Sequence, residues 1–289
     1  MLTSRFGAGI EVSPIEAGVH ASFTGTISVD GTRMFCKATQ AENTKLEQML
    51  DNEARINPRL GDLAPKLLAD IGQAGWRVLL FEHIPGTHIN LSPGSGDLDL
   101  FTELVNNLHH QLPNLGAEGF PHLADQWRRL SPWRRLAALP NTQVPNAIAT
   151  LTDETARQED EHLELLEATT PAHTDLHALN ILVHNGQARA VDWAWTRLAP
   201  AWYDALMLAV RLREAGYSTQ SALTWLATTE PGQSLDQPTR DAVLLEAAGM
   251  WTWLAHRELN RPHLQELATA ALDLRNAKSR PGTQTSDLL

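Results

Sequence analysis

Three oxygen-bearing side chains lie close together in residues 171–195, whose sequence is PAHTDLHALNILVHNGQARAVDWAW. Asp175 precedes Asn180 by five residues, on a loop before the strand ILVH, and Asp192 follows twelve residues later at the end of a returning strand. A strand pair that folds back in this way brings the three side chains together. Phosphoryl transfer needs a carboxylate that accepts or orients a hydroxyl proton, and hard oxygen ligands for Mg²⁺. In that chemistry Asp175 would serve the hydroxyl, while Asn180 and Asp192 would bind the metal ion.

A second pair of charged residues lies upstream, where Lys37 occupies the apolar strand MFCKAT and Glu53 follows sixteen residues later. Lysine is rare here, with four lysines against nineteen arginines, so an isolated lysine in such a strand is informative. Glu53 lies on the first predicted helix and shares a face with Met49 and Leu50 by its spacing. An inward carboxylate needs a cationic partner. We therefore predict a Lys37–Glu53 ion pair.

The elements that position these residues begin with strands. The runs IEVSPIEAG, SFTGTISV and TRMFCKAT have strand character, and Asp30-Gly31 between the last two predicts a two-residue hairpin turn. Apolar residues recur at helical spacing from about residue 41 to residue 60. PKLLADIG and WRVLLFEHI predict two more strands, before a loop rich in Pro, Gly and Ser.

From Asp97 onward the pattern is helical, apart from a short strand pair, ILVH and ARAVDW, joined by an Asn185-Gly186 turn. We therefore predict an α+β fold of two lobes, with a ligand cleft between them. The predicted bounds are a nucleotide-binding lobe at 1–85, a linker at 86–96, a helical catalytic and substrate lobe at 97–278, and a mobile tail at 279–289.

HTDLHALNIL followed by AVDWAW resembles the catalytic loop and metal-binding aspartate of the aminoglycoside phosphotransferase family, relatives of the protein kinases. The resemblance extends over about residues 11–209. It implies a protein-kinase-like fold and an ATP-dependent O-phosphotransferase that uses Mg²⁺, with GTP as an alternative donor. Two positions depart from the family pattern: Thr174 stands where glycine is commonest, and Ala178 stands where proline often follows the histidine. Neither departure removes a metal ligand.

The resemblance also assigns roles to individual residues. Lys37, braced by Glu53, would bind the α and β phosphates. The turn at residues 18–23, which includes Ser22, would cover the phosphates with backbone N–H groups and a hydroxyl. The segment from Glu82 to Ile84 would hydrogen-bond the adenine edge. Supporting roles in or behind the catalytic loop fall to His173, His177 and Asp204.

Composition narrows the class of partner. The chain has 289 residues and a net charge of −11, which disfavours nucleic acid and favours a cationic small molecule. It begins with no basic segment before an apolar run, and no apolar stretch is long enough to span a membrane, so we expect a cytoplasmic protein. Cys36 is the only cysteine and is expected to pack in its strand. We expect a monomer or a weak homodimer.

The acceptor of the phosphoryl group stays open at this stage. An acidic run between residues 153 and 167 could attract a polycationic antibiotic, although a solvated helix face is the favoured interpretation. Several tryptophans could form a wall for a ring system, but core packing is favoured for most of them. An aminoglycoside or another antibiotic is the leading acceptor, which implies resistance or self-protection. Metabolites such as choline, homoserine or a sugar are the alternative.

Two other classes of protein compete with this interpretation. In a metal-dependent hydrolase, His173, Asp175 and His177 would coordinate a transition metal together with Asp192 or His184. That interpretation leaves the upstream lysine and glutamate unexplained. A kinase-like binding protein without catalysis would need none of the catalytic side chains that are present. A kinase of other proteins is disfavoured, because WAW rather than FG follows Asp192 and no activation segment ending in APE is present.

Overall fold

The structure is a computed structural model that describes residues 10–15, 21–258 and 260–277. The predicted tail at 279–289 and residues 18–20 of the predicted phosphate-covering turn lie outside these residues. Within them, an antiparallel sheet with one helix forms a small lobe, and a mainly helical lobe follows. The predicted fold class is therefore confirmed. The domain bounds stay a prediction.

The small lobe is built on a five-stranded antiparallel sheet with the strand order β1-β2-β3-β5-β4. The predicted hairpin turn joins β2 to β3, with φ of 48° at Asp30 and 79° at Gly31. Both turn residues have the positive φ that such a turn needs. The strands are β1 (Ile10–Pro14), β2 (Phe23–Val29), β3 (Thr32–Gln40), β4 (Leu67–Gln73) and β5 (Trp76–Glu82).

One helix, α1 (Thr44–Ile56), covers one face of this sheet. Because side chains alternate along β3, Cys36 packs into the core on the opposite face, as predicted, whereas Lys37 lies on the face beside α1. The helix is shorter than predicted. The Asn43 side chain accepts a hydrogen bond from Leu46 N–H and caps the start. Two short 3-10 turns replace the last predicted turn, where Pro58 follows the helix.

The last residue of α1 and the segment after it belong to the core of the large lobe rather than to that of the small one. Ile56 and Leu60 are fully buried there among the apolar side chains of the helices. The linker also approaches the large lobe closely at Gly86, where a Cβ atom would lie 2.4 Å from the backbone oxygen of Val183. The chain therefore packs against the large lobe both before β4 and after β5.

The large lobe consists mainly of helices, and its core is the largest apolar cluster of the described chain. Its helices are α2 (Leu98–Gln111), α3 (Leu123–Leu130), α4 (Pro132–Ala137), α5 (Asn146–Ala149), α6 (Thr152–Glu164), α7 (Tyr203–Glu214), α8 (Thr219–Thr228), α9 (Glu230–Gln233), α10 (Gln237–Arg257) and α11 (His263–Arg275). None of the helices in the described ranges is long and apolar enough to cross a membrane.

Short strands inside the large lobe hold the loops that carry the candidate site. The predicted hairpin is present as β8 (Ile181–His184) and β9 (Gln187–Ala190). Three two-residue strands were not predicted, because so short a run carries no periodicity. They are β6 (Thr87–His88), which pairs with β8, and β7 (Pro171–Ala172), which pairs with β10 (Arg197–Leu198).

The predicted solvated face of the acidic run is wrong for one residue. Glu159 is completely buried on α6, where its carboxylate accepts hydrogen bonds from the Ser131 hydroxyl and from Trp133 N–H, both at 2.8 Å. These donors compensate the buried charge, and no spacing rule reveals them. Of the tryptophans considered for a ring-binding wall, Trp193 and Trp251 lie in the core, as expected. Trp202 and Trp253 are partly buried against that core, and Trp195 is also only partly buried.

Candidate active site

The predicted ion pair between Lys37 and Glu53 is present and buried. Lys37 Nζ lies 2.9 and 2.8 Å from the two carboxylate oxygens of Glu53. The two side chains are 7% and 4% exposed. Burial disfavours the charge on Lys37, but the carboxylates of Glu53 and Asp192 outweigh this effect and raise the pKa of the ammonium group. The lysine therefore stays protonated at neutral pH.

Asp192 joins this pair from the large lobe. Its Oδ1 lies 2.7 Å from Lys37 Nζ, although 155 residues separate the two positions. Asp192 has a left-handed backbone conformation, with φ of 64° and ψ of 59°. Aspartate tolerates this region better than most residues, yet the conformation still has a cost, and such residues cluster at functional sites. The backbone thus turns its carboxylate toward the small lobe.

The catalytic-loop segment is held from behind by Asp204. The Asp204 carboxylate accepts hydrogen bonds from the backbone N–H groups of His173 at 2.8 Å and Thr174 at 2.9 Å. Burial raises the pKa of Asp204, while the hydrogen bonds from the two backbone N–H groups act in the opposite direction. Asp204 follows β10 at the start of α7, so it connects the loop to the helical core.

His173 connects the loop to the segment before Asp192. Its Nε2 lies 2.9 Å from the Val191 carbonyl oxygen, and its Nδ1 accepts a hydrogen bond from Asp175 N–H at 3.3 Å. Together these bonds fit one neutral tautomer, with the proton on Nε2. The His173 side chain is fully buried and lies against the Trp193 ring at 4.6 Å. The loop that carries Asp175 is therefore fixed to the strand end that carries Asp192.

Asn180 lies at the other end of the same loop. Its Nδ2 donates to the Asp175 carbonyl oxygen at 2.9 Å, so its Oδ1 faces away from the loop backbone. Val191 N–H donates to the Asn180 carbonyl oxygen at 2.9 Å, which places Asn180 next to the strand end before Asp192. An amide oxygen and a carboxylate are ligands that suit Mg²⁺. The donor set therefore fits the predicted metal ion.

Thr174 also has a positive φ, of 60°, in the position where the resembled family favours glycine. Its hydroxyl donates to the Trp195 carbonyl oxygen at 2.5 Å. This bond offsets the conformational cost and joins the catalytic loop to the segment after Asp192. The departure from the family pattern thus adds a contact that glycine cannot make.

The remaining predicted nucleotide contacts are less well defined. The Ser22 hydroxyl lies 3.1 Å from the Thr39 hydroxyl, at the start of β2. The Glu82 N–H already donates to the Lys66 carbonyl oxygen at 2.8 Å, so this N–H is not available to a base. Ile84 is buried, and its N–H has no hydrogen-bond partner among the described residues. Within the predicted hinge, Ile84 thus has the better donor for an adenine edge.

Sequence reasoning missed contacts that hold α1 against the segment after Asp192. Asn52 Nδ2 donates to the Ala194 carbonyl oxygen at 3.1 Å, and Trp193 N–H donates to the Glu53 carboxylate. Asn52 is buried. In the sequence, only its position next to Glu53 on the inner side of α1 indicates that it could contact another part of the chain. These bonds fix the position of Glu53 relative to the large lobe.

Tyr203 is a further residue that the sequence did not single out. Its ring is buried against Trp127 at 6.2 Å. Burial raises the pKa of Tyr203, and the carboxylates of Asp204 and Asp175 raise it further. The phenol therefore stays neutral beside the two aspartates.

The geometry does not fit the metal-dependent hydrolase. Both ring nitrogens of His173 already have hydrogen-bond partners, and Nδ1 of His177 accepts from Leu179 N–H at 3.3 Å. Within the described ranges, no group of three or more His, Cys, Asp or Glu side chains has an arrangement that would hold a metal ion. Three of the four ring nitrogens of the two histidines are therefore already engaged in hydrogen bonds, which does not fit a transition-metal site built on them.

The fold has close counterparts among solved structures. A thermostable mutant of the aminoglycoside phosphotransferase APH(4)-Ia, in a ternary complex with AMP-PNP and hygromycin B, is 12% identical, and the match covers 95% of this chain and 96% of that chain with a TM-score of 0.67. Choline kinase LicA from Streptococcus pneumoniae is 14% identical over 94% and 97% of the two chains, with a TM-score of 0.65. An ethanolamine kinase from Plasmodium vivax is 12% identical over 93% and 82%, with a TM-score of 0.53. None of the curated protein sequences matches this chain.

Fold, charged cluster and catalytic-loop geometry together define a small-molecule phosphotransferase of protein-kinase-like architecture. The family model described as the phosphotransferase enzyme family matches residues 11–259. The chain belongs to that family. At identities this low, the solved structures show a common fold, and the residue roles and the acceptor are questions for the site itself.

Proposed function

We propose that the protein transfers the γ-phosphoryl group of ATP to a hydroxyl of a small molecule, with Mg²⁺ as cofactor. The observation that carries this proposal is the position of Lys37 Nζ, which lies within 3 Å of both Glu53 and Asp192 between the two lobes. Kinases need this arrangement to hold nucleotide phosphates beside a metal-binding aspartate. Three of the similar structures contain adenine nucleotides, AMP-PNP, ADP and AMP, which supports ATP rather than GTP as the donor.

The nucleotide would lie between the sheet and the large lobe. Lys37 would contact the α and β phosphates, and Glu53 would hold its ammonium group in place. The unpartnered N–H of the buried Ile84 would bind the adenine edge, together with a carbonyl group of the same segment. Ser22 would add a hydroxyl near the phosphates, at the start of β2.

Asn180 and Asp192 would hold Mg²⁺, which supplies charge neutralisation at the β and γ phosphates. The amide orientation supports this role, because Nδ2 of Asn180 is directed to the Asp175 carbonyl and Oδ1 is directed away from it. The left-handed backbone at Asp192 supports it also, since that conformation directs the carboxylate to the junction of the lobes.

Asp175 would act on the acceptor hydroxyl. As the hydroxyl oxygen forms a bond to the γ phosphorus, the bond from that phosphorus to the β–γ bridging oxygen breaks, and ADP leaves. The hydroxyl proton passes to the Asp175 carboxylate. His173, Thr174 and Asp204 would act by positioning, because their hydrogen bonds fix the backbone on both sides of the loop. His177 would limit the loop's freedom through its bond from Leu179 N–H.

We further propose that the acceptor is a hydroxylated amine, with an aminoglycoside-type antibiotic as the first candidate and resistance or self-protection as the purpose. The net charge of −11 favours a cationic ligand. Hygromycin B, choline and ethanolamine, which name the similar structures, all contain an amine or ammonium group. A choline-type metabolite is the second candidate, because choline kinase LicA is nearly as similar in fold as the antibiotic enzyme.

Because ATP is the proposed donor, we place the reaction in the cytoplasm. A monomer or weak homodimer stays our prediction.

A panel assay tests this proposal. ADP release would be measured with Mg·ATP and, in turn, with aminoglycosides, choline, ethanolamine, homoserine, sugars and macrolides, and each phosphorylated product would be identified by mass spectrometry. We expect ADP release and a product with at least one hydroxylated amine. Product only with neutral acceptors would contradict the acceptor class, and a protein that does not bind Mg·ATP would contradict the proposed reaction.

A further inference from the structure

A cleft of about 240 Å³ lies between α1 and the large lobe, beside the segment that follows Asp192. A water molecule occupies about 30 Å³, so the space admits an ion or a small charged group. None of the residues to which we assign a role in phosphoryl transfer lines it. The side chains that matter for its chemistry are Lys45 and Asn52 from α1, Gln126 and Arg129 from α3, and Trp195 and Arg197 from the segment after Asp192.

The cleft has three cationic side chains and no acidic one in its lining. Lys45 and Arg129 are exposed, whereas Arg197 is partly buried. Within the described part of the chain, none of the three has a carboxylate oxygen within 4 Å. The cleft is therefore locally positive, although the net charge of the whole protein is −11.

Arg197 is the most constrained of the three. Its Nε donates to the Gln126 side-chain oxygen and one terminal nitrogen donates to the Thr196 carbonyl oxygen, both at 2.8 Å, and both acceptors are neutral. The guanidinium group lies 5.0 Å from the centre of the Trp195 ring. Burial, with a further contribution from Arg129, lowers the pKa of Arg197 to about 10. The Arg197 guanidinium group is therefore fixed in orientation by neutral partners, and no carboxylate among the described residues neutralises its charge.

Neighbouring arginines differ in this respect. Arg128, which is next to Arg129 on α3, forms ion pairs with Asp125 at 3.3 Å and with Glu167 at 2.5 Å. Arg134 on α4 forms an ion pair with Asp160 at 2.6 Å. Arg128 and Arg134 thus each have a carboxylate partner, whereas the three cations of the cleft have none among the described residues.

We propose that this cleft binds a phosphate group, either inorganic phosphate or the phosphate of a small ester. Guanidinium groups match phosphate oxygens in geometry as well as in charge, and two arginines with a lysine can neutralise a dianion. The phosphate would connect Lys45 on α1 to Arg129 and Arg197 on the large lobe. α1 carries Glu53, and Asn52 in the cleft wall already joins α1 to Ala194. The bound phosphate thus adds a second connection between α1 and the large lobe.

The test is a calorimetric titration of the full-length protein with inorganic phosphate and, separately, with glucose 6-phosphate. Phosphate could also enter the nucleotide site, so Lys37→Met is titrated beside the wild type. The cleft variants are Arg197→Gln and Arg129→Gln, and Arg128→Gln is the matched control on the same helix. Arg129 is exposed, and its side chain forms no hydrogen bond within the described residues, so Arg129→Gln reports on the cleft even if Arg197→Gln folds poorly.

We expect wild type, Lys37→Met and Arg128→Gln to bind phosphate with affinities that agree within about two-fold, and Arg129→Gln and Arg197→Gln to bind at least about ten-fold more weakly, as expected for losing a charged hydrogen bond. Tighter binding of glucose 6-phosphate than of phosphate identifies an ester as the ligand, and equal binding identifies the free anion. Unchanged affinity in both cleft variants overturns the proposal. Loss of binding in Lys37→Met alone does so too, because phosphate would then occupy the nucleotide site.

Discussion

Lys37 Nζ lies 2.7 Å from Asp192 Oδ1, and this contact joins β3 of the small lobe to the end of the hairpin in the large lobe. The same ammonium group contacts both oxygens of Glu53. One cation thus faces two carboxylates, and the cluster has a net charge of −1. A divalent cation bound to Asp192 would compensate this charge. The Lys37 ammonium group could then contact the nucleotide phosphates instead of Asp192.

The first prediction concerns the energetics of this cluster. Lys37→Met leaves the carboxylates of Glu53 and Asp192 without their cation, so we expect it to lower the free energy of unfolding by about 3 kcal/mol. Lys37→Met combined with Glu53→Gln should be less destabilising than the sum of the two single changes, by about 1 kcal/mol or more. Urea unfolding of the four proteins gives the coupling energy.

The exposed pair of Arg261 and Glu258 supplies a control for this cycle. Arg261→Met and Glu258→Gln should couple by less than about 0.5 kcal/mol, as surface pairs do. A coupling energy between Lys37 and Glu53 no larger than that of the control pair would refute the assignment of the buried ion pair as a coupled unit.

A second prediction tests the metal ligand. Asp192→Asn keeps the size of the side chain, and asparagine tolerates the left-handed conformation, so the variant should fold. In wild type, Mg²⁺ should tighten ATP binding. In the variant, the Mg²⁺-dependent part of the affinity should fall by about ten-fold or more, as for the loss of one partner in a buried charge cluster.

Titration calorimetry with ATP in the presence of Mg²⁺ and in the presence of EDTA measures this difference. The two proteins should bind ATP similarly in EDTA. An equal response to Mg²⁺ in wild type and variant would remove Asp192 from the metal site.

A third prediction separates strain from hydrogen bonding at Thr174. Thr174→Gly relieves the positive φ of 60° but loses the hydroxyl bond to the Trp195 carbonyl, so we expect stability within about 1 kcal/mol of wild type. Thr174→Val keeps the strain and loses the hydroxyl bond to that carbonyl, so it should be destabilising by about 1–3 kcal/mol. Thermal or urea unfolding compares the three proteins. If Thr174→Val were as stable as wild type, the hydroxyl bond would contribute nothing, and if the two variants were equally stable, the strain would contribute nothing.

Local patterns in the sequence predicted much of the fold and of the candidate site. The Asp30-Gly31 and Asn185-Gly186 turns, the strands of the small lobe and the inward side of α1 all follow from residue type and short spacing. Lys37 and Glu53 were paired because an inward carboxylate needs a cation. These features depend on contacts within one supersecondary unit.

Contacts between distant parts of the chain could not be predicted in this way. The approach of Asp192 to Lys37 and the bond from Asn52 to the Ala194 carbonyl depend on how the two lobes meet, which no periodicity encodes. The acidic run predicts a solvated face for Glu159 as well, because its compensating donors lie elsewhere in the chain, at Ser131 between α3 and α4 and at Trp133 on α4. The position of these side chains depends on partners that are distant in the sequence, and not on the local helix or strand propensity.

A fourth prediction concerns pH, through a buried pair in the large lobe. Glu246 on α10 is fully buried, and its Oε1 lies 2.7 Å from His162 Nδ1 on α6. Burial raises the pKa of Glu246 from its ordinary 4.5 to about 7, with His162 and Arg134 opposing the rise and Glu159 adding to it. The folded state therefore holds the proton more tightly than the unfolded state, and the stability falls as pH rises through the window from about 4.5 to about 7.

Glu246→Gln removes this titration. Between pH 5 and pH 8, wild type should lose about 2 kcal/mol more of its unfolding free energy than the variant does, from 1.36 kcal/mol per pKa unit. Urea unfolding at the two pH values measures the effect, and Glu154→Gln, at an exposed position of α6, serves as the control and should follow the wild type. A variant with the same pH dependence as wild type would show that Glu246 does not titrate in this window.

The most direct test of the central claim compares wild type with Asp175→Asn in the transfer of labelled phosphate from [γ-³²P]ATP to the acceptor found in the panel assay, alongside the affinity of each protein for Mg·ATP. We predict that Asp175→Asn binds Mg·ATP within about two-fold of wild type but transfers phosphate at least about 100-fold more slowly, as expected for the loss of a general base. Transfer at the wild-type rate by Asp175→Asn, or a wild-type protein that binds no Mg·ATP, would contradict the account.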